Sequence, residues 1–590
     1  MPRLTPPLLV TGLCLLHAQP GLAANLHFLG GVDTAPELVN YVVGTDLLWG
    51  SGYWGEGVII ANVEAGHFWS GHEVFQRSGA GGTTLAPYLF LNAAAAGSEL
   101  GETDYHATMV AHVLAGGNSA DTPDSYTTYG IGMAPRATLW SGAIATHFDK
   151  TVENAGSFEI TDESFRTPYV AFFTGQNTAT AGARADVINS SWGFDDPTYQ
   201  APETRTITGL AAANPMVAAV FSAGNSGYGV NKIGGPASSP NVISVGSLGG
   251  ADWLTPSSFS SGGPVAFYNP ATQTLIPEAR AAVHLSAPGE NLFLAAYLQR
   301  SGGLEPLLIE ANLDSSADDL YFNFSASGTS FSSPVVAGGV GLLKEVARDH
   351  FAGAANSERL GAALDTRVIR SLIMASSVRT TGWDNGQHAG PGGALVTTQA
   401  LDYRSGAGAF DVSRAALVYV FGTTDVPGLG GGTDLQPSGW DFGAVNLGET
   451  TDYVIDLQTV LGPSELAVSL NWFVDDSFDV ATGETTYGSF ADLDLEVWSV
   501  SFGDNPATLL ATSRTAYDNT EFLRFAIAPG ARYALRVRFD HFVYDLDPAA
   551  NLSVNYGLSW TTSSIPEPSA FSLVAGLAAL GFGLRRRSRA

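Results

Sequence analysis

The stretch GTSFSSPVVAG, residues 328–338, decides the fold of this chain. Ser330 stands just before a predicted helix, with Pro334 expected in its first turn, and two glycines further along allow close packing. The free amide groups at a helix N-terminus favour developing negative charge, so the stretch suits a nucleophilic hydroxyl. Taken alone, such a string more often marks a serine that only caps a helix.

Short apolar runs upstream of this stretch predict buried strands, and helical patterns separate them. The runs cover residues 57–63, 187–190, 216–221 and 242–245, and helices are predicted from about residue 106 and over residues 332–343. Buried strands that alternate with helices predict an α/β fold with a parallel sheet. The ligand sites of such a fold lie at the carboxyl ends of its strands.

The α/β pattern fades after residue 416, and a glycine-rich break follows at residues 428–432. Alternating segments around residues 493–497, 523–527 and 533–537 then predict a smaller, all-β sandwich. We therefore expect an α/β domain over residues 25–420, a linker over residues 421–437 and a β-sandwich over residues 438–562.

The bulk composition excludes some classes of partner. The chain has 590 residues, with 27 Lys and Arg against 56 Asp and Glu, and its net charge of −29 argues against binding nucleic acid. Its one cysteine, Cys14, lies in an apolar run that predicts a secretory signal peptide over residues 1–24. A lipid anchor on Cys14 is the rival interpretation. After signal cleavage the protein would hold no cysteine, which excludes disulfides and a thiol nucleophile.

Acyl transfer by a serine requires a base, a carboxylate that orients it, and donors for the oxyanion. Residues 328–338 closely resemble the nucleophile segment of the subtilases, a family of serine peptidases, which implies that Ser330 is the nucleophile. The segment YHATMVA, residues 105–111, resembles the subtilase histidine segment and implies that His106 is the general base. Ala107 and Met109 depart from the family, which usually has Gly and a second His at these places.

The carboxylate position is the largest departure from the family. The first predicted strand runs into Glu64-Ala65-Gly66, where subtilases have Asp, then Ser or Thr, then Gly. The resemblance implies that Glu64 orients His106, with the backbone displaced by about an ångström for the longer side chain. Asp104 is the alternative, although its place before the helix suits a cap better.

Two further segments resemble parts of the subtilases that contact substrate. In FSAGNSG, residues 221–227, the resemblance implies that Asn225 is the side-chain donor of the oxyanion hole, with an ordinary turn as the alternative. In NSSWG it implies that Ser191, Trp192 and Gly193 pair with the backbone of an extended polypeptide substrate.

The resemblance extends from about residue 57 to residue 416, and its spacing implies surface insertions around residues 150–183 and 290–322. Residues 25–56 form a segment shorter than the inhibitory prodomain that is common in the family. A DLDLE string at residues 492–496 makes the sandwich similar to bacterial pre-peptidase C-terminal domains.

The C-terminal tail, residues 563–590, combines Pro566-Glu567-Pro568, an apolar run over residues 570–584 and an arginine cluster. This order resembles the PEP-CTERM sorting signal of certain Gram-negative bacteria. It implies export to the cell envelope or medium and a membrane enzyme that recognises the tail. The run is short for a permanent transmembrane helix, so a thin or transient anchor is the alternative.

Together these features predict a secreted or envelope-associated serine endopeptidase that needs no cofactor. No metal ligand is assigned, although calcium as a structural ion is an option in the loop that holds Asn118, Asp121 and Asp124. One alternative is a catalytically inactive subtilase scaffold that serves as a surface binding or assembly protein. Another is an adhesin whose working part is the sandwich.

Overall fold

The computed structural model describes residues 36–564, with several internal gaps. The gaps are residues 71, 76–87, 91–102, 118–130, 149–157, 177, 179–181, 297–321, 354–355, 423–429, 461, 463, 502–503 and 548–551. The predicted signal peptide, residues 565–590 of the C-terminal tail and the candidate calcium loop therefore lie outside the described residues. Within the described part, no helix combines the length and apolarity needed to cross a membrane.

The described helices of the α type are numbered in chain order. They are Pro36–Val42 (α1), Thr45–Gly50 (α2), Tyr105–Ala115 (α3), Asp162–Thr174 (α4), Pro202–Ala213 (α5), Thr329–His350 (α6), Ser357–Leu364 (α7), Thr366–Ala375 (α8) and Val412–Phe421 (α9). Short 3-10 helices lie at Glu73–Phe75 and Pro391–Gly393.

The strands of the N-terminal part are numbered in the same way. They are Ile59–Glu64 (β1), Tyr88–Phe90 (β2), Thr138–Ala143 (β3), Ala145–Phe148 (β4), Phe158–Ile160 (β5), Val187–Ser190 (β6), Ala218–Ser222 (β7), Ile243–Gly249 (β8), Thr255–Pro256 (β9), Val265–Asn269 (β10), Thr274–Arg280 (β11), Leu285–Pro288 (β12), Leu292–Ala295 (β13) and Phe322–Ala326 (β14).

The strands of the C-terminal part follow. They are His388–Ala389 (β15), Leu395–Thr397 (β16), Gly432–Leu435 (β17), Gly439–Asn446 (β18), Thr450–Asp456 (β19), Ser464–Trp472 (β20), Ser477–Phe478 (β21), Thr485–Thr486 (β22), Ser489–Val500 (β23), Pro506–Ser513 (β24), Thr520–Ile527 (β25), Arg532–Asp545 (β26) and Ser553–Ser564 (β27).

A parallel sheet organises the N-terminal part, with strand order β12-β8-β7-β6-β1-β3-β2 and the short β9 antiparallel to β8. Its apolar strands are buried on both faces because helices cover them. Helix α6 packs closely on one face, since an added Cβ at Gly341 would lie 3.0 Å from Ile60. The central position of β1 and β6 places their carboxyl ends, Glu64 and Ser190, side by side.

The C-terminal part is a sandwich of a seven-stranded sheet, β15-β16-β24-β23-β26-β19-β17, and a four-stranded sheet, β18-β27-β20-β25. Strand β23 alternates as the sequence predicts, with Leu493, Leu495 and Val497 fully buried between the sheets. The predicted fold class, a subtilisin-like parallel sheet flanked by helices and followed by a smaller all-β sandwich, is confirmed.

The four-stranded sheet also packs on the α/β part, so both of its faces are covered. Its residues Ala467 and Phe522 belong to the same apolar cluster as the α/β core. Phe267 of strand β10 also inserts into the sandwich core, where its ring centroid lies 5.1 Å from that of Tyr517. The two parts therefore share their interior.

Two sequence-based expectations about local structure need correction. Residues 162–174, inside the predicted insertion at 150–183, form helix α4, whose Phe165 and Phe172 are core residues beside the parallel sheet. Pro334 is the sixth residue of α6 and lies beyond the first turn. The sequence pattern did not indicate helix α4, because Pro168 within it is a residue that favours a helix break.

The junction between the two parts contains a buried carboxylate, Asp476. Its Oδ1 accepts from the Gly488 amide at 3.3 Å, whereas Oδ2 has no hydrogen-bond partner among the described residues. Burial raises the pKa of Asp476 to about 7, and the Gly488 bond and the Arg205 charge oppose that rise. Between the unfolded and the folded pKa the folded state binds more protons, so stability falls as pH rises through this window.

We expect Asp476→Asn to stabilise the protein in a pH-dependent way. The gain in unfolding free energy should be near zero at pH 4 and reach a few kcal/mol, at most about 4, at pH 8. Urea unfolding at several pH values measures it. Glu484→Gln, an exposed change in the same hairpin, should show no such trend. A gain that is equal at both ends of the pH range would contradict the burial of an ionised Asp476.

Candidate active site

The site is built at the carboxyl ends of β1 and β6 and at the N-termini of two helices. Glu64 is the last residue of β1, and Ser191 directly follows β6. His106 is the second residue of α3, and Ser330 is the second residue of α6. This edge of a parallel sheet is where the sequence places the site, and the fold brings all four residues there.

A buried carboxylate holds the imidazole. Glu64 Oε2 lies 3.1 Å from His106 Nδ1, and the Glu64 side chain is 1% exposed against 31% for His106. The second oxygen, Oε1, accepts from the backbone amide of Ser191 at 2.7 Å. Both carboxylate oxygens are therefore occupied, and the acid is fixed between the histidine helix and the segment that follows β6.

Asp104 has a different place. Its Oδ1 accepts from the backbone amide of His106 at 3.0 Å, and its carbonyl oxygen accepts from the Thr108 hydroxyl. These bonds satisfy donors at the N-terminus of α3, as expected of a helix cap. The imidazole hydrogen bond goes to Glu64.

The charges of this pair influence each other. Burial by itself would lower the pKa of His106, but the hydrogen bond and charge of Glu64, with a contribution from Asp104, raise that pKa above its usual value. Burial raises the pKa of Glu64, and its bonds to His106 and Ser191 oppose the rise. An imidazolium would thus be stabilised here, which is what a general base requires when it takes a proton.

Ser330 is 8% exposed, and its hydroxyl donates to the carbonyl oxygen of Ser191 at 3.1 Å. Within the described residues, no hydrogen bond joins this hydroxyl to the His106 ring. In return, Ser191 Oγ donates to the Ser330 carbonyl oxygen at 2.8 Å. That carbonyl is free to accept because Pro334, four residues on in the helix, has no amide hydrogen to donate to it.

A further pair of buried hydrogen bonds supports this arrangement. Asn189 Oδ1 accepts from the Ser333 hydroxyl at 2.8 Å, and Asn189 Nδ2 donates to Ser191 Oγ at 3.1 Å. The end of β6 is thereby tied to the first two turns of α6. Sequence reasoning had not assigned these links, and it had given Ser191 only a role in binding substrate.

Asn225 is exposed, and the orientation of its amide is fixed by two donors. Its Oδ1 accepts from both the backbone amide and the hydroxyl of Thr329, each at 2.9 Å. The Nδ2 group therefore points away from Thr329, and no acceptor among the described residues bonds to it. The side chain offers a free donor next to the N-terminus of α6.

The segment after β6 has free main-chain groups. Trp192 is anchored by a hydrogen bond from its ring nitrogen to the Val63 carbonyl oxygen at 3.1 Å, and Gly193 is exposed. Among the described residues, the backbone N–H and C=O groups of Trp192 and Gly193 have no hydrogen-bond partner. Such an edge can accept an extended peptide as an added strand.

The chain belongs to the subtilase family, because the model of that family matches residues 92–408, more than half of the chain. The match includes His106, Asn225 and Ser330 and begins after Glu64. Residues 564–587 match the PEP-CTERM protein-sorting motif, an export-sorting signal of Gram-negative bacteria. No curated protein matches the chain.

Solved structures of proteases show likeness at low identity. Prenylagaramide maturation protease PagA is 19% identical, with a TM-score of 0.38, and the match covers 63% of this chain and 98% of that one. A serine protease of Aeromonas sobria is 14% identical, with a TM-score of 0.42 and coverage of 88% and 90%. MycP1 without its propeptide is 20% identical, with a TM-score of 0.37 and coverage of 64% and 96%.

Proposed function

We propose that the protein is a serine endopeptidase that hydrolyses peptide bonds through Ser330, His106 and Glu64. The observation that supports this most directly is the buried Glu64 carboxylate, hydrogen-bonded at 3.1 Å to the imidazole of His106. A carboxylate in this position holds the imidazole in the tautomer whose other nitrogen accepts a proton. A purely structural histidine would not need a charged partner that is otherwise costly to bury.

The proposed reaction follows from these positions. The Ser330 hydroxyl turns from the Ser191 carbonyl oxygen to the free nitrogen of His106, gives up its proton and attacks the substrate carbonyl carbon. The oxyanion is bound by the Asn225 Nδ2 group and by backbone amides at the N-terminus of α6. His106 then protonates the departing amine, and water releases the acyl group from Ser330 by the same steps in reverse order.

We propose an extended polypeptide as the substrate. Its backbone would pair with the free main-chain groups of Trp192 and Gly193, so that recognition depends little on sequence. The tail motif supports export, and we propose a signal peptide over residues 1–24 and a sorting enzyme that acts on residues 563–590. The protein would then work in the envelope or outside the cell.

Two observations favour a second candidate, an inactive scaffold that binds other proteins. The Ser330 hydroxyl is engaged by Ser191, and an acid longer than the usual aspartate holds the histidine. In such a scaffold the two hydrogen bonds between Ser191 and Ser330 would be permanent, and the cleft would bind polypeptides without cleaving them.

A fluorophosphonate probe tests the proposal directly. The mature wild-type protein should be labelled, and peptide mass analysis should find the label on Ser330, because the probe reacts only with an activated serine. Heat-unfolded protein is the control and should stay unlabelled. If the folded protein takes up no probe and cleaves no casein, the proposal is wrong and the scaffold is favoured.

A further inference from the structure

A cluster of metal-ligand side chains lies in the sandwich, away from the candidate active site. Asp492 of β23 is opposite His541 of β26, while the next pair is Leu493 with Phe539. Asp540 is thus the extra residue of a β-bulge. The bulge leaves Asp540 and His541 both facing Asp492, and one donor atom of each lies within 4.8 Å of the others. We call these three residues the Asp492 cluster.

The hydrogen bonds within the Asp492 cluster do not account for its charges. His541 Nδ1 lies 3.2 Å from Asp540 Oδ2 and 3.4 Å from Asp492 Oδ2. A ring nitrogen carries at most one hydrogen, so it can donate fully to only one of the two carboxylates. Asp492 Oδ1 is buried and has no hydrogen-bond partner among the described residues. A buried carboxylate oxygen without a donor is costly and rare.

Within the described residues, neither of the two neighbouring arginines forms an ion pair with Asp492. Arg538 donates to Asp540 Oδ1, and Arg514 donates to Glu496 at 2.8 Å and lies 3.8 Å from Asp494. Within the described residues, His541 is the one basic side chain in an ion pair with Asp492. Four carboxylates lie close together here, and only two arginines of the described part of the chain form ion pairs with them. The carboxylates are those of Asp492, Asp494, Glu496 and Asp540.

The distances in the Asp492 cluster match those between ligands of one metal ion. Two ligands bound at about 2.0–2.1 Å with tetrahedral angles lie about 3.3–3.4 Å apart, close to the two nitrogen–oxygen distances seen here. An ion would satisfy both carboxylates and the imidazole together, which one hydrogen cannot do. We propose that Asp492, Asp540 and His541 bind a divalent transition-metal ion of the zinc class.

The ligand types select the class of ion. An imidazole nitrogen with two carboxylates suits zinc and its neighbours, whereas calcium prefers oxygen ligands alone and in larger number. The side chain of His541 is 57% exposed and that of Asp540 is 41% exposed, so an ion can enter from solvent and keep water as a further ligand. The bound ion would join β23 to β26 and stabilise the sandwich.

The test uses the full chain with Ser330→Ala, which removes self-digestion, after treatment with EDTA. Calorimetric titration with Zn²⁺ should show one equivalent bound, and the melting temperature should rise with the ion. His541→Gln and Asp492→Asn should each weaken Zn²⁺ binding by about 100-fold or more, since even loss of an outer partner costs about 10- to 100-fold. His388→Gln, at an exposed histidine elsewhere, is the matched control and should bind as the parent does.

A Co²⁺ spectrum of the parent chain tests the proposal without depending on how the variants fold. The parent chain with one equivalent of Co²⁺ should show visible absorption bands from nitrogen and oxygen ligands, and excess Zn²⁺ should remove them. The proposal is overturned if the stripped chain binds neither ion, or if both variants bind Zn²⁺ as the parent does. It is equally overturned if Ca²⁺ raises the melting temperature and Zn²⁺ does not.

Discussion

Glu64→Gln is expected to lower kcat for casein hydrolysis by about 10³- to 10⁴-fold while the fold stays intact. Glutamine can still accept from the Ser191 amide, but its NH₂ group would donate to His106 Nδ1. The imidazole proton would then lie on the other nitrogen, which could no longer accept a proton from Ser330. The loss should appear mainly in kcat, because no contact with substrate changes.

The pH profile gives this prediction a second readout. In the wild type, Glu64 raises the pKa of His106, and only neutral His106 can act as a base, so kcat/KM should fall as pH drops through that raised pKa. In Glu64→Gln the residual activity should persist to lower pH, because the charge that stabilises the imidazolium is gone. Glu56→Gln, at an exposed glutamate, is the control and should leave both rate and profile unchanged.

Glu64→Asp, which restores the residue that is usual in the family, tests whether the longer side chain is needed here. Glu64→Asp withdraws the carboxylate by about one C–C bond, roughly 1.5 Å, so the contacts of 3.1 Å and 2.7 Å would exceed hydrogen-bond length. We therefore expect Glu64→Asp to be less active than the wild type. A gain of activity would mean that the glutamate is a defect, and it would favour the inactive scaffold.

Arg370→Ala should cause the largest loss of stability, about 4 kcal/mol or more. Arg370 of helix α8 is fully buried and donates to both parts of the molecule. Its acceptors are the Pro240 and Val242 carbonyl oxygens of the α/β part and Asn471 Oδ1, the Asn519 carbonyl oxygen and Thr520 Oγ1 of the sandwich. Removing the guanidinium takes five buried hydrogen bonds from this junction and leaves a cavity there, although the Pro240 carbonyl oxygen, Asn471 Oδ1 and the Asn519 carbonyl oxygen each keep one other donor.

Urea unfolding followed by two probes measures this loss. We expect near-ultraviolet circular dichroism and intrinsic fluorescence to report a single transition, shifted to lower urea in Arg370→Ala. Arg136→Ala, at an exposed arginine paired with Glu56, should cost less than about 1 kcal/mol. Two separated transitions would contradict a shared interior.

Sequence patterns were most informative where local periodicity and burial agree. The apolar run at residues 57–63 predicts a strand that the structure has at Ile59–Glu64, and the alternation around residue 495 predicts β23. Helix α4 was missed because its Pro168 and its charged first turn resemble a surface insertion. The packing of the sandwich against the α/β part could not be predicted either. A glycine-rich break indicates a linker, but it does not show which faces of the two parts come into contact.

The candidate site, too, was only partly predictable from the sequence. Resemblance of short segments was enough to select Glu64, His106, Asn225 and Ser330, and their catalytic roles stay a prediction. The bond from the Ser191 amide to Glu64 joins residues 127 positions apart. No side-chain pattern encodes it, since a backbone amide exists at almost every residue. It depends on where β1 and β6 end relative to each other.

Arg370 and Phe267 each bury a side chain at the junction between the sandwich and the α/β part. If the protein is the exported protease proposed above, its active copies would meet one another, and a peptide bond cut at the boundary between the two parts would ordinarily separate them. In this molecule the fragments would remain associated through buried contacts, so one nick need not end activity. Resistance to self-digestion would thus arise from the architecture, without any cross-link between side chains.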